Sequence, residues 1–347
     1  MLKTFQYKLY QNKRNKKLVS LICLSAEIYN HCISIHKKYY SLYDKHLNKF
    51  VLQKHITKLK KLKKYKHWNQ LGSQAIQDIT ERIDKGYKLF FQSVKKKNTK
   101  VHPPTFKKYS KYKSFTLKQA GYSFFDINSI RIGDHNYKYH KSRDVGKQVK
   151  TVTIKRDRLG DIYIFVVCEV EQEKLNKVMT GKIAGFDFGL KTYLTSSDDN
   201  KIQSPQFFKQ YRNKIQSISR SLSKKTKGSN NRRKARLELA RLHKKITNKR
   251  NNYHWELAHK LCQEYDEVYF ETLNLSGMKR LYGRKISDLG FTDFMFILEY
   301  CCKKYDTKFV KINQWEATSK TCHICKHVNQ ELTLEDRNWI CPVCKTE

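Results

Sequence analysis

Two cysteine pairs with the same spacing constrain the C-terminal part of this 347-residue chain. Cys322 and Cys325 form one Cys-x-x-Cys pair, and Cys341 and Cys344 form the other. Residues 326–340 separate them, a spacing typical of four thiolates that bind one zinc ion. A four-cysteine site has no open coordination position, so the zinc would be structural rather than catalytic. The alternative is that the four cysteines fall in this pattern by coincidence. We expect a zinc ribbon at residues 318–347.

The other cysteines lack this spacing. The first ten residues contain no apolar signal-peptide core, and no apolar run approaches the ~20 residues that span a bilayer. These features favour a cytoplasmic protein that has reduced thiols and no membrane partner. We therefore expect buried thiols at six positions: Cys23, Cys32, Cys168, Cys262, Cys301 and Cys302.

Positive charge dominates the composition. The chain has 72 Lys and Arg against 31 Asp and Glu, a formal net charge of +41. Such a surface repels itself unless a polyanion neutralises it, as a phosphate backbone does. Aromatic residues make up 13% of the chain, and those that are not in the core can stack on bases. The alternative is a basic ribosomal or membrane-surface protein; charge, length and aromatic content favour nucleic-acid binding.

The first half of the chain reads as β structure interrupted by helices. Residues 1–10 alternate like a strand, and residues 11–100 have apolar residues at helical spacing. In this helical part, five residues are expected to line a core: Trp68, Ile76, Ile79, Ile83 and Phe90. Pro103 and Pro104 end the helical pattern. Strands follow at 151–156 and 161–170, joined by a turn at 157–160. A small β-barrel completed by the N-terminal strand would accommodate the helical insert.

The second half combines strands with long basic helices. Residues 181–195 and 267–275 are strand-like, and residues 206–262 read as helices with an apolar face. A solvated helix face usually mixes acids with bases, but here only Glu238 and Glu256 interrupt the bases. We favour contact with a nucleic-acid backbone over simple solvation. The candidate residues are Arg232, Arg233, Lys234, Arg236, Arg241, Lys244, Lys245, Lys249 and Arg250.

Two acids end apolar strands. Asp187 follows Ile183–Phe186, and Glu271 follows Val268–Phe270. A carboxylate in an apolar strand costs free energy unless it is paired or binds a cation. In a basic protein, two such acids suit Mg²⁺, which takes a few carboxylates together with water and phosphate oxygens. The alternative is a pair of salt-bridged acids at strand ends, and the spacing does not decide between them.

The motifs around these residues resemble those of the TnpB family of transposon-encoded, RNA-guided nucleases, which are also called transposases and linked to transposition and DNA recombination. Compact type V CRISPR nucleases share the design. The stretch from Gly185 to Lys191 is similar to the first RuvC motif, and the stretch from Glu271 to Met278 to the second. The zinc ribbon is similar from Thr318 to Cys344, including residues 332–337. Shorter similarities occur at residues 3–10, 106–108 and 114–115.

This resemblance implies a multidomain α+β fold. Residues 1–10 and 101–180 would form a wedge β-barrel, and residues 11–100 a helical recognition insert. Residues 181–317 would form an RNase H/RuvC-like α/β nuclease domain with long basic helices at 206–262, and residues 318–347 the zinc ribbon. Asp187 and Glu271 would be catalytic acids that bind Mg²⁺, and zinc would be structural. A guide RNA from the transposon end would direct the protein to double-stranded DNA beside a short motif.

The sequence departs from the family at one point. The family's third acid lies in an Asp-Arg-Asp-x-Asn-Ala-Ala stretch shortly after the last ribbon cysteine, whereas this chain ends Lys345-Thr346-Glu347. Two readings follow for the function: an RNA-guided DNA endonuclease, or an RNA-guided DNA-binding protein that blocks its target without cutting. A third reading is a transposon gene that has lost its activity. A classical transposase fits least, because we find no His-hydrophobic-His pair with a nucleophilic Tyr.

Overall fold

The computed structural model of the chain describes residues 1–97, 101–146, 148–171, 175, 177–313, 320–322, 324–332 and 339–346, with only the backbone of Arg284. The chain divides into two compact units, Met1–Gln172 and Glu173–Glu347. The domain boundaries inferred from the resemblance stay predictions.

In the first unit, one of the described strands precedes the helices and six follow them. The elements are β1 (Leu2–Lys8), α1 (Asn15–Tyr43), α2 (Lys49–Leu59), a 3-10 helix (Lys63–Gln70), α3 (Ser73–Lys95), β2 (Ser114–Leu117), β3 (Tyr122–Asp126), β4 (Ser129–Ile132), β5 (His135–Lys138), β6 (Gln148–Arg156) and β7 (Ile162–Glu169).

The helices of this unit form where apolar residues recur every three or four positions. Helix α1 buries Leu18, Ile22 and Ile33, and α2 begins at Asn48, whose side chain accepts the N–H groups of Phe50 and Val51. The predicted core is confirmed for Trp68, Ile76, Ile79 and Ile83. It is wrong at one position, since Phe90 is half-buried and its neighbours Tyr87 and Phe91 pack on the core instead.

Helix α1 is also long and apolar enough to cross a membrane, contrary to the sequence-based expectation. Only its length and composition make it a candidate for a membrane span, and 56% of its most apolar stretch is buried inside the protein. The core helix of a globular unit has the same properties.

The strands of this unit form two sheets. The first has the order β1-β7-β6-β2, and the second β3-β4-β5. The N-terminal strand pairs antiparallel with β7, from Leu2 opposite Glu169 to Lys8 opposite Tyr163. This pairing confirms that the chain returns, after the helices, to complete the sheet that it began. An isolated bridge between Leu9 and Tyr139 connects β1 to the segment after β5.

The second unit alternates strands with helices. Its elements are β8 (Ile183–Phe188), β9 (Thr192–Ser196), β10 (Lys201–Gln203), α4 (Phe207–Gln210), α5 (Arg212–Lys224), α6 (Asn230–Glu264), β11 (Glu267–Glu271), α7 (Leu275–Leu289), α8 (Phe291–Tyr305) and β12 (Lys308–Ile312). The strand predicted at 267–275 is wrong beyond Glu271, because the Asn274 side chain accepts the N–H of Gly277 and caps α7.

These strands form one mixed sheet of order β10-β9-β8-β11-β12. β8, β11 and β12 run parallel, whereas β9 and β10 are antiparallel to their neighbours. Helices α6 and α8 pack against each other and share one apolar cluster with the sheet. The rings of Phe186 and Phe270 stack in it with centroids 5.0 Å apart.

Helices α5 and α6 form a hairpin with its own apolar cluster of Ile215, Ile218, Leu242 and Ile246. The Ser229 side chain accepts the N–H of Arg232 and begins α6. These helices confirm the prediction for residues 206–262 within two residues at the C-terminal end.

Candidate functional site

The first candidate acid lies on the side of β8 opposite the core. Phe186 and Phe188 are buried, whereas Asp187 between them is exposed. Because successive side chains of a strand point to opposite faces, the same alternation that buries the two rings presents the carboxylate on the other face.

The second candidate acid lies beside it. On β11, Val268 and Phe270 are buried, so Glu271 shares the face of Asp187. Phe186 pairs with Phe270 in the parallel register, and continuing this register by one residue places Glu271 next to Asp187. Neighbouring strands lie about 4.8 Å apart. The structure therefore brings the two predicted acids together at the carboxyl ends of adjacent parallel strands.

The electrostatics of this pair favour a cation. Desolvation by the surrounding protein atoms, and then the negative charge of Glu271, raise the pKa of Asp187 above its ordinary value, although its side chain is exposed; the Phe188 N–H opposes the shift. A carboxylate whose pKa is raised by a neighbouring carboxylate is stabilised when a cation lies between the two. The donor set, two carboxylates on an open edge, fits Mg²⁺, which completes its shell with water and phosphate oxygens.

A tight turn follows Asp187. A Cβ atom on Gly189 would lie 2.5 Å from the carbonyl oxygen of Thr192, closer than any real contact. Only glycine allows this approach, which explains the glycine in the motif. Glu271 also lines a cavity of about 210 Å³, together with Thr272 and Lys311.

Asp266, which the sequence does not single out, connects the starts of β8, β11 and β12, at the end of the sheet opposite the two acids. Its carboxylate accepts the N–H groups of Thr180 (2.8 Å) and Gly181 (2.6 Å) and pairs with the buried ammonium of Lys177 at 2.7 Å. Hydrogen bonding to Lys177 lowers the pKa of Asp266. Its backbone bonds to Lys182 and Lys308, the residues that lead into β8 and start β12. A single acid directly before an apolar strand was the only sequence signal.

The four predicted zinc ligands converge. The sulfur atoms of Cys322, Cys325, Cys341 and Cys344 all lie within 4.8 Å of one another. Two of the Sγ–Sγ distances, 322 to 344 and 325 to 341, are 3.5 Å. Four sulfurs at 2.3 Å from a zinc ion would be about 3.8 Å apart, so the cluster has the size of a tetrahedral zinc–thiolate site.

The two cysteine pairs share one local geometry. In the first, the N–H of Lys326 donates to the Cys322 carbonyl at 3.0 Å, and in the second the N–H of Lys345 donates to the Cys341 carbonyl at 3.0 Å. Both lysines adopt left-handed backbone conformations, with φ of 61° and 60°. Each turn brings its two sulfurs to the same side. A hydrogen bond with Thr346 lowers the pKa of Cys344 to about 6, and the thiolate is the form that binds metal. Within the predicted ribbon, residues 318–319, 323, 333–338 and 347 lie outside the described part of the chain.

The other predicted cysteines behave as expected, with one exception. Five are buried, whereas Cys23 is only half-buried.

The predicted basic residues of α6 divide into three groups. Arg232 and Arg250 have structural contacts: Arg232 donates to the carbonyls of Leu222 and Lys225 and closes the α5–α6 hairpin, and Arg250 donates to the Ser287 carbonyl at 2.8 Å. Lys244 is half-buried. The exposed members are Arg233, Lys234, Arg236, Arg241, Lys245 and Lys249. The exposed group is the part of the prediction that remains available to a phosphate backbone.

The fold and the cysteine cluster define a class of protein, a mixed α+β multidomain chain with a candidate metal site. A chain of a solved Cas12f1–sgRNA–target DNA complex has a similar fold, with a TM-score of 0.53 and 13% sequence identity over 99% of this chain and 96% of that one.

Sequence comparisons narrow the class. Residues 165–281 match the family model OrfB_IS605, "Probable transposase", and residues 291–347 match the model "Cas12f1-like, TNB domain". The two matches cover the strands of both acids and all four cysteines. The resemblance to TnpB-type proteins is therefore confirmed.

Individual relatives agree. A "Putative RNA-guided DNA endonuclease" of Streptomyces pristinaespiralis is 33% identical over 198 residues, which cover 56% of this chain and 49% of that protein. The "Putative RNA-guided DNA endonuclease InsQ" of Escherichia coli is 26% identical over 220 residues, covering 63% and 52%. "TnpB-like protein L79" of Acanthamoeba polyphaga mimivirus is 30% identical over 195 residues, covering 51% and 36%. The chain thus spans about half the length of the first two of these relatives and about a third of the third.

Proposed function

We propose that this chain is an RNA-guided DNA endonuclease of the TnpB type. The observation that carries the proposal is the acid pair: Asp187 and Glu271 share one face at the carboxyl ends of adjacent parallel strands. The names of the relatives support the same activity. We interpret the five-stranded sheet, with its two antiparallel and three parallel members, as an RNase H/RuvC-like core.

In this proposal, Asp187 and Glu271 hold Mg²⁺ against a DNA phosphate. Bound Mg²⁺ would lower the pKa of an attacking water and stabilise the leaving oxygen. The two carboxylates supply the negative charge that positions the cation, and the raised pKa of Asp187 makes this function sensitive to acid. Cleavage should fall as the pH decreases through that raised pKa, because a protonated carboxyl binds Mg²⁺ poorly.

Guide RNA and double-stranded target DNA are the proposed partners. The net charge of +41 suits both, and the exposed basic residues of α6 would bind phosphates without reading sequence. Base pairing with the guide would supply specificity, and the protein would read a short adjacent motif. We assign the two sheets of the first unit to a wedge barrel and its helices to a recognition insert. The protein would act in the cytoplasm, at the nucleoid.

Zinc at the four cysteines would be structural. With four thiolates the coordination shell is closed, so the ion would stabilise the ribbon and take no part in cleavage.

A second function, guided DNA binding without cleavage, is favoured by a specific observation. Among the residues that the structure describes, the four cysteines form the one group of three or more candidate ligands that lie close enough to hold a metal ion. At the acid edge, the described residues supply two carboxylates, Asp187 and Glu271. Two ligands bind Mg²⁺ more weakly than three, so the protein would bind its target without cutting it.

One experiment separates the two functions. The protein is purified with its RNA from cells that carry its native locus, and the complex is incubated in Mg²⁺ with plasmids that contain the matching target beside a randomised flank. We expect a discrete co-purified RNA and cleavage at the target. Asp187→Asn and Glu271→Gln should abolish cleavage and leave target affinity nearly unchanged, because each change removes charge at almost constant size.

Asp199→Asn is the matched control. Asp199 lies in the turn between β9 and β10 with φ of 58°, a conformation that Asn also adopts, and this variant should cut normally. Target binding without cutting by the unmodified protein would support the second function. If no RNA co-purifies and the target is not bound, both functions are wrong.

A further inference from the structure

A second concave surface lies close to the acid pair along the chain. It is a groove of about 450 Å³, within the range of about 300–1,000 Å³ that is common for ligand sites. Three segments meet in it: the turn after β8, the segment from β10 into α5, and the end of α7. Its lining residues are Leu190, Lys191, Ser204, Gln206, Phe208, Lys209, Arg212, Lys285, Asp288 and Leu289.

Hydrogen bonds hold the walls of this groove together. The backbone N–H of Phe208 donates to both carboxylate oxygens of Asp288 at 2.9 Å, which ties the start of α4 to the end of α7. Arg250 of α6 donates to the Ser287 carbonyl at 2.8 Å and holds the same end of α7. The groove is thus preorganised, since its walls do not have to be ordered when a ligand enters.

The groove has an apolar floor and a basic rim. Leu289 is buried, and Leu190 and Phe208 are half-buried, so each has apolar surface within the groove. Four exposed cations surround this floor: Lys191, Lys209, Arg212 and Lys285. Within the part of the chain that the structure describes, none of the four forms an ion pair with a carboxylate. A flat apolar ring joined to anions would satisfy both surfaces, and a nucleotide has this chemistry.

The position of the groove relates it to the acids. Lys191 follows Asp187 by four residues, across the close turn at Gly189. The groove therefore begins at the same end of β8 as the carboxylate. A strand whose phosphate lies at Asp187 would have a neighbouring nucleotide within reach of Leu190 and Lys191.

We propose that this groove binds an unpaired base, together with its flanking phosphates, of the DNA strand that is presented to Asp187 and Glu271. The inference rests on the proposed nuclease function and adds a substrate subsite to it. Phe208 offers a ring for stacking, the four cations neutralise the adjoining phosphates, and Asp288 is an acceptor for an exocyclic amino group. A base inside a duplex exposes only its edges, so the occupant is single-stranded.

Photocrosslinking tests the contact directly. A short single-stranded DNA oligonucleotide that contains 5-iododeoxyuridine is irradiated with the full-length protein, and the crosslinked peptide is identified by mass spectrometry. We expect the crosslink at Phe208 or in the peptide around Leu190. A crosslink found only elsewhere would overturn the proposal, as would a matching RNA oligonucleotide that crosslinks at Phe208 more efficiently than DNA.

Affinity measurements by fluorescence anisotropy give a second readout. Phe208→Leu keeps an apolar side chain on the α5–α6 cluster but removes the stacking ring, and should weaken binding of the oligonucleotide about 5- to 150-fold. Phe125→Leu changes an exposed ring of the first unit and should leave the affinity unchanged. Equal affinities of these two variants would refute a stacking role.

The contribution of the basic rim is tested by measuring how oligonucleotide affinity depends on salt concentration. Lys209→Gln should reduce the slope of log affinity against log salt by about 0.7, the value for one phosphate contact on a single strand. Lys201→Gln, an exposed lysine of β10 that does not line the groove, should leave the slope unchanged. Equal slopes for the two variants would contradict a phosphate contact at the rim.

Both readouts are independent of cleavage. They are taken without Mg²⁺ and repeated with the Asp187→Asn protein, which should bind the oligonucleotide as the unmodified protein does. If cleavage is absent but the crosslink persists and Phe208→Leu still weakens oligonucleotide binding, the proposed role of the groove is supported and the nuclease function is wrong. If cleavage depends on Asp187 but the groove gives no crosslink and Phe208→Leu binds normally, the proposed role of the groove is wrong and the nuclease function is supported.

Discussion

Protonation of His254 should destabilise the second unit in mildly acidic solution. The side chain is buried on α6, and its Nε2 atom lies 3.1 Å from the Leu289 carbonyl and 3.1 Å from the Tyr193 hydroxyl. Because a carbonyl only accepts, Nε2 carries the proton of the neutral ring. Among the described residues no partner reaches His254 Nδ1, so a second proton would be buried without an acceptor.

The size of this loss of stability follows from the pKa of His254. Burial, assisted by the charge of Arg250, lowers the pKa of His254 from 6.5 to about 4, against the opposing effects of the Leu289 carbonyl and Asp293. The unfolded chain therefore binds a proton between about pH 6.5 and 4 that the folded chain does not, and stability falls as the pH decreases through this window. The loss at pH 5 should be about 2 kcal/mol, or roughly 4–8 °C in Tm for a unit of this size.

The assay is thermal unfolding between pH 7.5 and 5 for the unmodified protein and for His254→Gln, with hydrogen exchange of α6 peptides to assign the transition. Glutamine can donate to the Leu289 carbonyl but does not titrate, so the stability of His254→Gln relative to that of the unmodified protein should rise by about 2 kcal/mol from pH 7.5 to pH 5. His243→Gln is the control, since His243 is exposed on the same helix. A difference that stays constant from pH 7.5 to 5 would refute the reasoning.

Two further predictions concern the motifs. Cys341→Ser should abolish stoichiometric zinc in elemental analysis, whereas Cys23→Ser should not; zinc retained by the first variant would contradict a four-thiolate site. Gly189→Ala should cost about 1–3 kcal/mol in urea unfolding, since its Cβ would meet the Thr192 carbonyl at 2.5 Å. Gly185→Ala, with open space around the new Cβ, should be neutral or slightly stabilising, and equal effects of the two changes would show that the close turn is not rigid.

Short-range patterns carried most of what could be predicted. The convergence of the four cysteines follows from spacing, because each pair lies in its own turn and needs little information from the rest of the fold. The two acids follow from strand alternation. The helices at 206–262 follow from apolar residues every three or four positions.

Predictions that depended on neighbours in space were less accurate. The strand at 267–275 was extended too far because an apolar run hid the capping role of Asn274. Arg232 and Arg250 were grouped with surface cations, yet their partners are backbone carbonyls, which any sequence supplies. The groove at Phe208 combines segments that lie up to nearly 100 residues apart in sequence, so no local sequence pattern predicts it.

The acid pair and the aromatic core depend on the same strand register. Phe186 and Phe270 stack on one face of the sheet, and the next residue of each strand, Asp187 or Glu271, lies on the other. A slip of one residue in either strand would turn its acid into the apolar core and its ring into solvent. The register is therefore held by the burial of the aromatic rings on one face and by the backbone bonds of Asp266 at the starts of the strands. For this reason the residues that keep the sheet in register, Phe186, Phe270 and Asp266, determine whether the two carboxylates meet at the ends of their strands.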